Sequence, residues 1–239
     1  MRTIAVPLSP EDRQAIAGGS WFCSLPPAPR HDLLRAMRVR LYVDGERVFA
    51  HGDAVSSWLA CVGGAVRISR SAANGKPLTL TMVGPGRWFG DPPLGDEVRT
   101  HDAHAHGETR VAAVGQDALQ ELVSLHPELY PALLRLQSLR LRQVFGVVEE
   151  LASLGLRARL VRQLLQLART HGVPCCGGEV RIGMRVRQDL LAEMLGCSRQ
   201  RVNEQLMSLE RAHLIRKEAG SLFVRDRDRL QQCAEVALA

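Results

Sequence analysis

The sequence contains no run of apolar residues that approaches the ~18–20 needed to span a membrane. Residues 1–7 lack the long apolar stretch of a secretory signal peptide. The six cysteines are scattered, without a Cys-x-x-Cys pair or the ligand spacing of a zinc site. We therefore predict a cytoplasmic protein with no membrane partner and no bound metal. The neighbouring Cys175 and Cys176 are interpreted either as a redox-sensitive pair or as two incidental loop thiols.

Catalytic motifs are also missing. No nucleophile–base pair and no glycine-rich phosphate loop stands out along the 239 residues, so we predict that the protein is not an enzyme. With 46% apolar residues, a chain of this length can bury a real core and form two domains.

Residues 188–210 have the pattern of two helices joined by a glycine-centred turn. Gly196 can adopt the positive φ that such a turn needs, and Ser198 stands where the hydroxyl of an N-cap residue belongs. Apolar residues recur at helical spacing on both sides of the turn: Leu190, Leu191, Met194, Leu195, Val202, Leu206 and Leu209. This pattern is typical of a helix-turn-helix that binds DNA. An ordinary amphipathic helix pair with solvated charges is the alternative.

The opposite face of the second helix is polar. It carries Gln200 and Glu204, with Arg199 and Arg201 at the start of the helix. These side chains can hydrogen-bond base edges or phosphates in a major groove.

A hairpin and a basic charge excess accompany the helix pair. Residues 214–225 contain two β-prone runs around Gly220 and Ser221, and residues 179–186 form another strand candidate. We therefore predict a winged helix-turn-helix. Residues 156–239 hold 15 Lys and Arg against 9 Asp and Glu, whereas residues 1–155 hold 16 of each, so the formal charge of +6 lies in this part. Such an excess favours binding to phosphates.

Residues 37–115 are rich in short β-prone runs separated by glycine turns, and Asn74-Gly75 is a strong hairpin signal. Many short strands at regular spacing predict an antiparallel β-sandwich. Helices are predicted on either side, over residues 29–37 and from residue 117. The predicted strands cover residues 39–43, 47–50, 58–62, 65–69, 78–83, 103–106 and 109–114.

A long helix is predicted over residues 127–153, with Pro127 at its first position, where the missing N–H costs nothing. A hinge at residues 153–155 precedes another helix at residues 156–171. Along the long helix, one stripe has the three-and-four spacing of a coiled-coil seam: Tyr130, Leu134, Gln137, Leu141, Val144, Val148 and Leu151.

A second stripe of the same helix can pack on the sandwich while the seam meets a second copy of the chain. This stripe comprises Leu129, Leu133 and Leu136. The pattern favours a parallel homodimer, and the alternative is that both stripes belong to the core of one chain.

The order of these parts resembles the CRP/FNR family of bacterial transcription regulators over nearly the whole chain. The resemblance lies in residues 43–53, 64–68, 84–90, 99–103 and 195–203, which occur in the family's order. It implies an α+β fold with a cyclic-nucleotide-binding-like jelly roll as an effector-sensing domain (1–126), a dimerisation helix and hinge (127–155) and a DNA-binding domain (156–239). It also implies a homodimer on a palindromic DNA site, with RNA polymerase as a further partner.

In that family the sandwich binds an effector, often a cyclic nucleotide, at a short turn and an Arg-Ser/Thr pair. The corresponding residues here are Gly90, Asp91, Arg99 and Thr100. The Arg99 guanidinium suits a phosphate, although a structural ion pair is its alternative role. Asp91 replaces the Glu that usually meets the ribose, and the following Pro92-Pro93 removes two backbone donors.

The positions that contact adenine in cyclic-AMP-binding members correspond to Val144 and Phe145, which cannot replace hydroxyl hydrogen bonds. A cyclic nucleotide, another small effector and no effector therefore all stay open. An iron–sulfur cluster is disfavoured because only Cys23 lies near the N-terminus. Haem is disfavoured because strand alternation separates His101 from His104 and His106.

The resemblance also assigns roles on the second helix. Arg199 would contact guanine. Gln200 and Glu204 replace other residues found at these positions in the best-known member, so we expect a different DNA half-site. Gln200 would prefer adenine. Ser198 and Arg201 would contact phosphates. The alternative function is a ligand-binding regulatory module whose helical end docks on another protein.

Overall fold

The structure, a computed structural model, describes residues 5–72, 75, 77–95, 98–218 and 220–235. The chain forms two compact units, Met1–Arg70 with Leu80–Leu141 and Ser71–Thr79 with Arg142–Ala239. Among the described helices, none has both the length and the apolar character needed to cross a membrane.

The elements up to the long helix form an α+β arrangement around one sheet. The strand order is β1-β2-β7-β4-β5, with β3 paired to β7 and β6 paired to β4, and the pairs β1–β2, β2–β7, β3–β7, β4–β7 and β4–β6 are antiparallel. In chain order the elements are β1 (Val6–Pro7), α1 (Pro10–Ala17), α2 (Ser20–Cys23), α3 (Pro27–Ala36), β2 (Arg38–Tyr42), β3 (Arg47–Phe49), β4 (Ser57–Ser71), β5 (Pro77–Val83), β6 (Trp88–Phe89), β7 (Asp102–Gly115), α4 (Gln116–Leu125) and α5 (Leu129–Ser153).

Two long strands, β4 and β7, each contain two of the predicted short runs. The pairing of β4 with β7 shifts register around Gly63, and the nearby Gly64 and Gly107 both have a φ of +73°. A Cβ on Gly64 would lie 2.2 Å from the carbonyl oxygen of Glu108. These glycines therefore interrupt the ladder as a β-bulge without ending the strands. Asn74, in the predicted hairpin, lies outside the described residues.

Strand β4 contributes to two cores because successive side chains point to opposite faces. Trp58, Ala60 and Val62 pack with the helices, in a core that also contains Leu129 and Leu133 of α5. The intervening Leu59 and Cys61 join the interior core with Phe49, Phe89 and other sheet residues. The predicted inner stripe of α5 thus packs on the sheet.

All three tryptophans of the chain meet in the helix-facing core. The ring centroid of Trp58 lies 4.1 Å from that of Trp88, and Trp21 lies 5.0 and 5.3 Å from these two rings. The indole N–H of Trp21 donates to the carbonyl oxygen of Ala132 at 2.8 Å. The cluster therefore joins the sheet to the first turns of α5.

The predicted start of the long helix is wrong by two residues. The amides of Leu129 and Tyr130 donate to the carbonyl oxygens of His126 and Pro127, respectively. These i to i+3 bonds place Pro127 in a turn before α5 and not at its first position. The helix ends at Ser153, and Gly155 is the N-cap residue of the next helix, so the chain breaks its helical course between these two residues.

The second unit contains the predicted helix-turn-helix with a sheet beside it. The sheet order is β10-β11-β9-β8, and every pair in it is antiparallel. Strand β9 is shorter than the predicted run 179–186, and the final helix was not predicted. The elements are α6 (Leu156–His171), β8 (Gly172–Pro174), a 3-10 turn (Cys176–Gly178), β9 (Val180–Ile182), α7 (Gln188–Leu195), α8 (Arg199–Arg211), β10 (Ile215–Glu218), β11 (Ser221–Val224) and α9 (Arg227–Glu235).

Candidate nucleic-acid interface and effector site

The turn between α7 and α8 follows from two residues. Gly196 has φ +61° and ψ 36°, the left-handed conformation that ends α7 and that side chains with a Cβ disfavour. The hydroxyl of Ser198 accepts a hydrogen bond from the amide of Arg201 at 3.3 Å, so α8 begins at Arg199. The conformation of the turn is therefore determined by residues within the turn itself.

Helix α8 has one buried and one exposed face. Val202, Leu206 and Leu209 are buried, and they hold the helix against the rest of the unit. The structure brings the five predicted DNA-contacting residues together on the exposed surface: Ser198, Arg199, Gln200, Arg201 and Glu204. A face with this composition can hydrogen-bond base edges and phosphates.

Side chains that sequence reasoning missed hold this face in place. Arg199 Nε donates to Gln188 Oε1 at 3.3 Å, and Gln188 Nε2 donates to Asn203 Oδ1 at 2.8 Å. Arg199 Nη1 also lies 3.7 Å from Asp189 Oδ2. Gln200 Nε2 donates to Glu204 Oε1 at 3.1 Å, across the i to i+4 spacing of adjacent helical turns.

Helix α6 anchors the helix pair through two arginines. Arg159 Nη1 donates to the carbonyl oxygen of Leu195 at 3.3 Å, next to the turn. Arg157 Nη1 donates to Ser208 Oγ at 2.8 Å. The central turn and the carboxyl-terminal part of α8 are thereby tied to α6.

The predicted wing is the antiparallel hairpin β10–β11. Arg216 pairs with Glu179 at 2.8 Å and lies over the ring of Phe223, 3.8 Å from its centroid. Arg225 approaches the same carboxylate at 3.1 Å. The hydrogen bond from Arg216 lowers the pKa of Glu179, and Arg225 adds to the effect. These pairs fix the base of the wing.

At the predicted effector turn, the Arg99 guanidinium is buried, with only 2% of the residue exposed. It donates to the carbonyl oxygens of Ser57 and Asp91 and lies 4.4 Å from the ring centroid of Phe49. Burial lowers its pKa, which the charges of Asp91 and Asp53 oppose. Its described hydrogen bonds thus go to backbone carbonyls.

Gly90 makes room for this arginine. Its φ is +67°, and a Cβ there would lie 2.4 Å from Arg99 Nη1. Thr100 is exposed, and its Oγ1 lies 2.9 Å from Nδ1 of His101. Gly90, Asp91 and Arg99 therefore meet in one place, while the Thr100 hydroxyl is engaged with the neighbouring imidazole.

Sequence reasoning missed Arg140 of α5. Its Nη1 donates to the carbonyl oxygen of Gly90 at 3.0 Å and to Gln137 Oε1 at 3.0 Å. Its Nη2 donates to the carbonyl oxygen of Trp88 at 2.8 Å. Burial lowers the pKa of Arg140. The long helix and the candidate effector turn are thus joined by one side chain.

The histidines near this turn have separate surroundings. His101 packs edge-on against Phe49, and burial lowers its pKa. His104 and His106 alternate with the buried Ala103 and Ala105 along β7. No group of three potential metal ligands occurs among the described side chains.

The seam residues of α5 form an apolar face without a covering element in the described chain. Their exposed fractions lie between 55 and 69%. This contrasts with Leu129 and Leu133 on the inner stripe, which are buried. The exposed seam residues are Tyr130, Leu134, Leu141, Val144, Val148 and Leu151.

Comparisons with known proteins match both units. Residues 158–233 match the Crp-like helix-turn-helix domain, and residues 39–126 match the cyclic nucleotide-binding domain. The chain is 32% identical to a CRP-like cAMP-activated global transcriptional regulator of Mycobacterium tuberculosis, over 80% of this chain and 85% of the relative. It is 28% identical to the cyclic AMP receptor protein of Thermus thermophilus, over 91% and 97% of the two chains.

A solved structure has the same architecture. It is a transcriptional regulator of the CRP/FNR family from Thermus thermophilus, 25% identical, with a TM-score of 0.69. The match covers 83% of this chain and 99% of that one.

Proposed function

Because the chain belongs to the CRP/FNR family of DNA-binding transcription regulators, we propose that the exposed face of α8 reads a palindromic DNA site. Arg199 contacts guanine, Gln200 prefers adenine, and Glu204 accepts a hydrogen bond from a base. Ser198 and Arg201 contact phosphates and set the register. The supporting observation is that all five residues are exposed within the cap and first two turns of α8.

The proposed domains are residues 1–126 for effector sensing, 127–155 for dimerisation and residues 156–239 for DNA binding. Two copies pair in parallel through the exposed seam of α5. This pairing covers apolar side chains that are exposed to water in the single chain. Their recognition helices then lie about 34–36 Å apart, one turn of DNA. The protein acts in the cytoplasm as a regulator and not as an enzyme, with RNA polymerase as a further partner.

The DNA-reading role is tested with Arg199→Ala. Preferred duplexes are first selected from a random library with the wild-type protein, and dissociation constants are then measured for a preferred and a scrambled duplex. We expect a loss of discrimination of about 5–150-fold, equivalent to the ~1–3 kcal/mol of a bidentate base contact. Salt-sensitive binding to the scrambled duplex should largely persist.

The matched control is Arg211→Ala, which removes the same charge from an exposed position at the other end of α8. It should leave discrimination unchanged. An equal loss on all sequences for Arg199→Ala would contradict a base-reading role, and a wild-type protein that selects no preferred duplex would contradict the proposed function.

The proposed effector site consists of the turn at Gly90 and Asp91 with Arg99 and Thr100. Its groups suit an anion, because Arg99 lies against Gly90 and can exchange its carbonyl partners for phosphate oxygens. The sequence does not favour an adenine base, because Val144 and Phe145, at the positions that contact adenine in cyclic-AMP-binding members of the family, carry no hydroxyl group.

Two measurements address the effector. Mass spectrometry of protein purified without added ligand identifies any bound small molecule. Calorimetric titration with cyclic AMP, on the wild type and on Arg99→Met, tests the nucleotide directly. Binding to the wild type that is lost in the variant would assign the site to that anion, whereas binding retained in Arg99→Met would remove Arg99 from it.

A further inference from the structure

A chain of hydrogen bonds between side chains runs across the helix-turn-helix and ends on Arg199. Asn203 Nδ2 approaches Met207 Sδ at 3.8 Å as a weak donor. Asn203 Oδ1 accepts from Gln188 Nε2 at 2.8 Å, and Gln188 Oε1 accepts from Arg199 Nε at 3.3 Å. Gln188 and Asn203 are partly buried, whereas Arg199 is exposed.

This chain of hydrogen bonds has a fixed direction. An amide donates only through its nitrogen and accepts only through its oxygen. Because the nitrogen of Asn203 faces the Met207 sulfur, its oxygen faces Gln188. Gln188 must then donate from Nε2 to Asn203, which leaves Gln188 Oε1 to accept a hydrogen bond from another group. A guanidinium is such a donor, since it has N–H groups and no acceptor.

The contact with Gln188 uses the Nε atom of Arg199 and not Nη1 or Nη2, the two atoms whose N–H groups would meet a base edge. A guanidinium that reads guanine needs two parallel N–H groups at the correct angle. Asp189 Oδ2 lies 3.7 Å from Nη1, an ion-pair distance longer than a hydrogen bond, and is a second group of α7 near the guanidinium. The guanidinium of Arg199 is thus held from α7, although Arg199 itself belongs to α8.

We propose that Gln188 and Asn203 are positioning residues that set sequence specificity by orienting Arg199. This inference rests on the proposed function, because it assumes that Arg199 reads a base. It adds Gln188 and Asn203 to the residues that determine specificity. The composition of the exposed face of α8 does not indicate either of them.

The test is a double-mutant cycle with Gln188→Met, which keeps the side-chain length and removes the amide. Dissociation constants are measured by fluorescence anisotropy for the preferred duplex and for duplexes with each guanine replaced. In the wild-type background we expect Gln188→Met to reduce discrimination about 5–10-fold at one guanine. In the Arg199→Ala background it should cause no further reduction, because its effect passes through Arg199.

Asn203 provides a second pair of variants. Asn203→Leu breaks the chain of hydrogen bonds at its other link and should reduce discrimination at the same guanine. Asn203→Asp keeps an oxygen for Gln188 Nε2, so discrimination should survive while affinity for all duplexes falls through the added negative charge. Gln205→Met, the same substitution elsewhere on α8, is the control and should change neither quantity. Circular dichroism melting confirms that each variant is folded.

The failures are distinguishable. If the wild type shows no sequence preference, the proposed function fails and the positioning role fails with it. If the wild type discriminates and Gln188→Met lowers discrimination equally in both backgrounds, Gln188 acts independently of Arg199 and this inference alone is overturned. Unchanged discrimination in both Gln188→Met and Asn203→Leu would also overturn it.

Discussion

Arg140 of the long helix donates to the carbonyl oxygen of Gly90 in the candidate effector turn over 3.0 Å. The helix that carries this arginine also carries the exposed seam proposed for dimerisation. A displacement of the turn at Gly90 would therefore pull on α5 directly. This hydrogen bond links the candidate effector turn to α5 within the first unit.

Replacement of Arg140 by Met should destabilise the first unit. The substitution removes hydrogen bonds to the carbonyl oxygens of Gly90 and Trp88, and lost bonds of this kind cost about 1–3 kcal/mol. Urea unfolding followed by tryptophan fluorescence measures the change. Arg142→Met, at an exposed position on the same helix, should cost much less, and equal effects of the two variants would contradict the linking role of Arg140.

A charge in the seam should weaken the homodimer. Each Leu141 contributes about 1.5–3 kcal/mol when it leaves water, and the dimer contains two copies. We therefore expect Leu141→Glu to raise the dimer dissociation constant at least about 100-fold in sedimentation equilibrium. Gln143→Glu places the same carboxylate outside the seam and should leave the constant nearly unchanged. A dimer that tolerates Leu141→Glu would mean that the seam does not pair.

Gly196→Ala should destabilise the second unit by about 1–2 kcal/mol, because the left-handed conformation crowds a Cβ against the backbone. Apart from the two adjoining residues, no described atom lies within 4 Å of the added Cβ position, so the cost is conformational. Gly196→Asn should cost less, since asparagine tolerates this region. Thermal unfolding of the wild type and the two variants gives the order of their stabilities. A variant with Ala as stable as the wild type would contradict the strained turn.

Acidification should reduce stability through His101. Burial lowers the pKa of its imidazole below the ordinary 6.5; the charges of Arg99 and Arg140 also lower it, and those of Asp91 and Asp102 raise it. The folded state therefore binds a proton less readily than the unfolded chain, so this contribution is full above pH ~6.5 and is lost as the pH falls through the folded pKa.

The His101 prediction is measured by urea midpoints at pH 7.5 and 5.5. His101→Gln should show a smaller loss between these values than the wild type. His31→Gln, at an exposed position, should follow the wild type. If His101→Gln kept the full pH dependence, its imidazole would not be the responsible group.

The thiols should differ in reactivity with an alkylating reagent. Cys61 is fully buried, and burial raises its pKa to about 12, so the reactive thiolate is scarce and inaccessible. Cys23 and Cys176 are exposed and should be modified first in the native protein. Peptide mapping with and without urea tests the order, and early modification of Cys61 would contradict the described packing.

The helix-turn-helix was predictable because its chemistry is local. Gly196, Ser198 and the apolar spacing of α7 and α8 all lie within 23 residues, and each acts on its immediate neighbours. The fused strands β4 and β7 were not predictable in the same way. From the sequence, Gly64 and Gly107 resemble residues of turns that end strands. The pairing of β4 with the distant β7 instead places Gly64 in a bulge, so β4 continues past it.

The candidate sites were predictable in part. Residue type and helix face place Arg199 and Gln200 on one surface, whereas the contact with Gln188 depends on how two helices pack. Arg140 lies 50 residues from Gly90, and nothing near either residue in the sequence indicates that they meet. Its position next to Gln137, which interrupts an otherwise apolar seam, is the one local feature that sets it apart.

The gathering of Trp21, Trp58 and Trp88 at the base of α5 gives the protein a built-in optical probe. Since these are all the tryptophans in the chain, ultraviolet emission reports on a single location, and the DNA-binding end contributes no indole signal. Stopped-flow mixing with a candidate effector can thus time events where the sheet meets the long helix, without any attached dye.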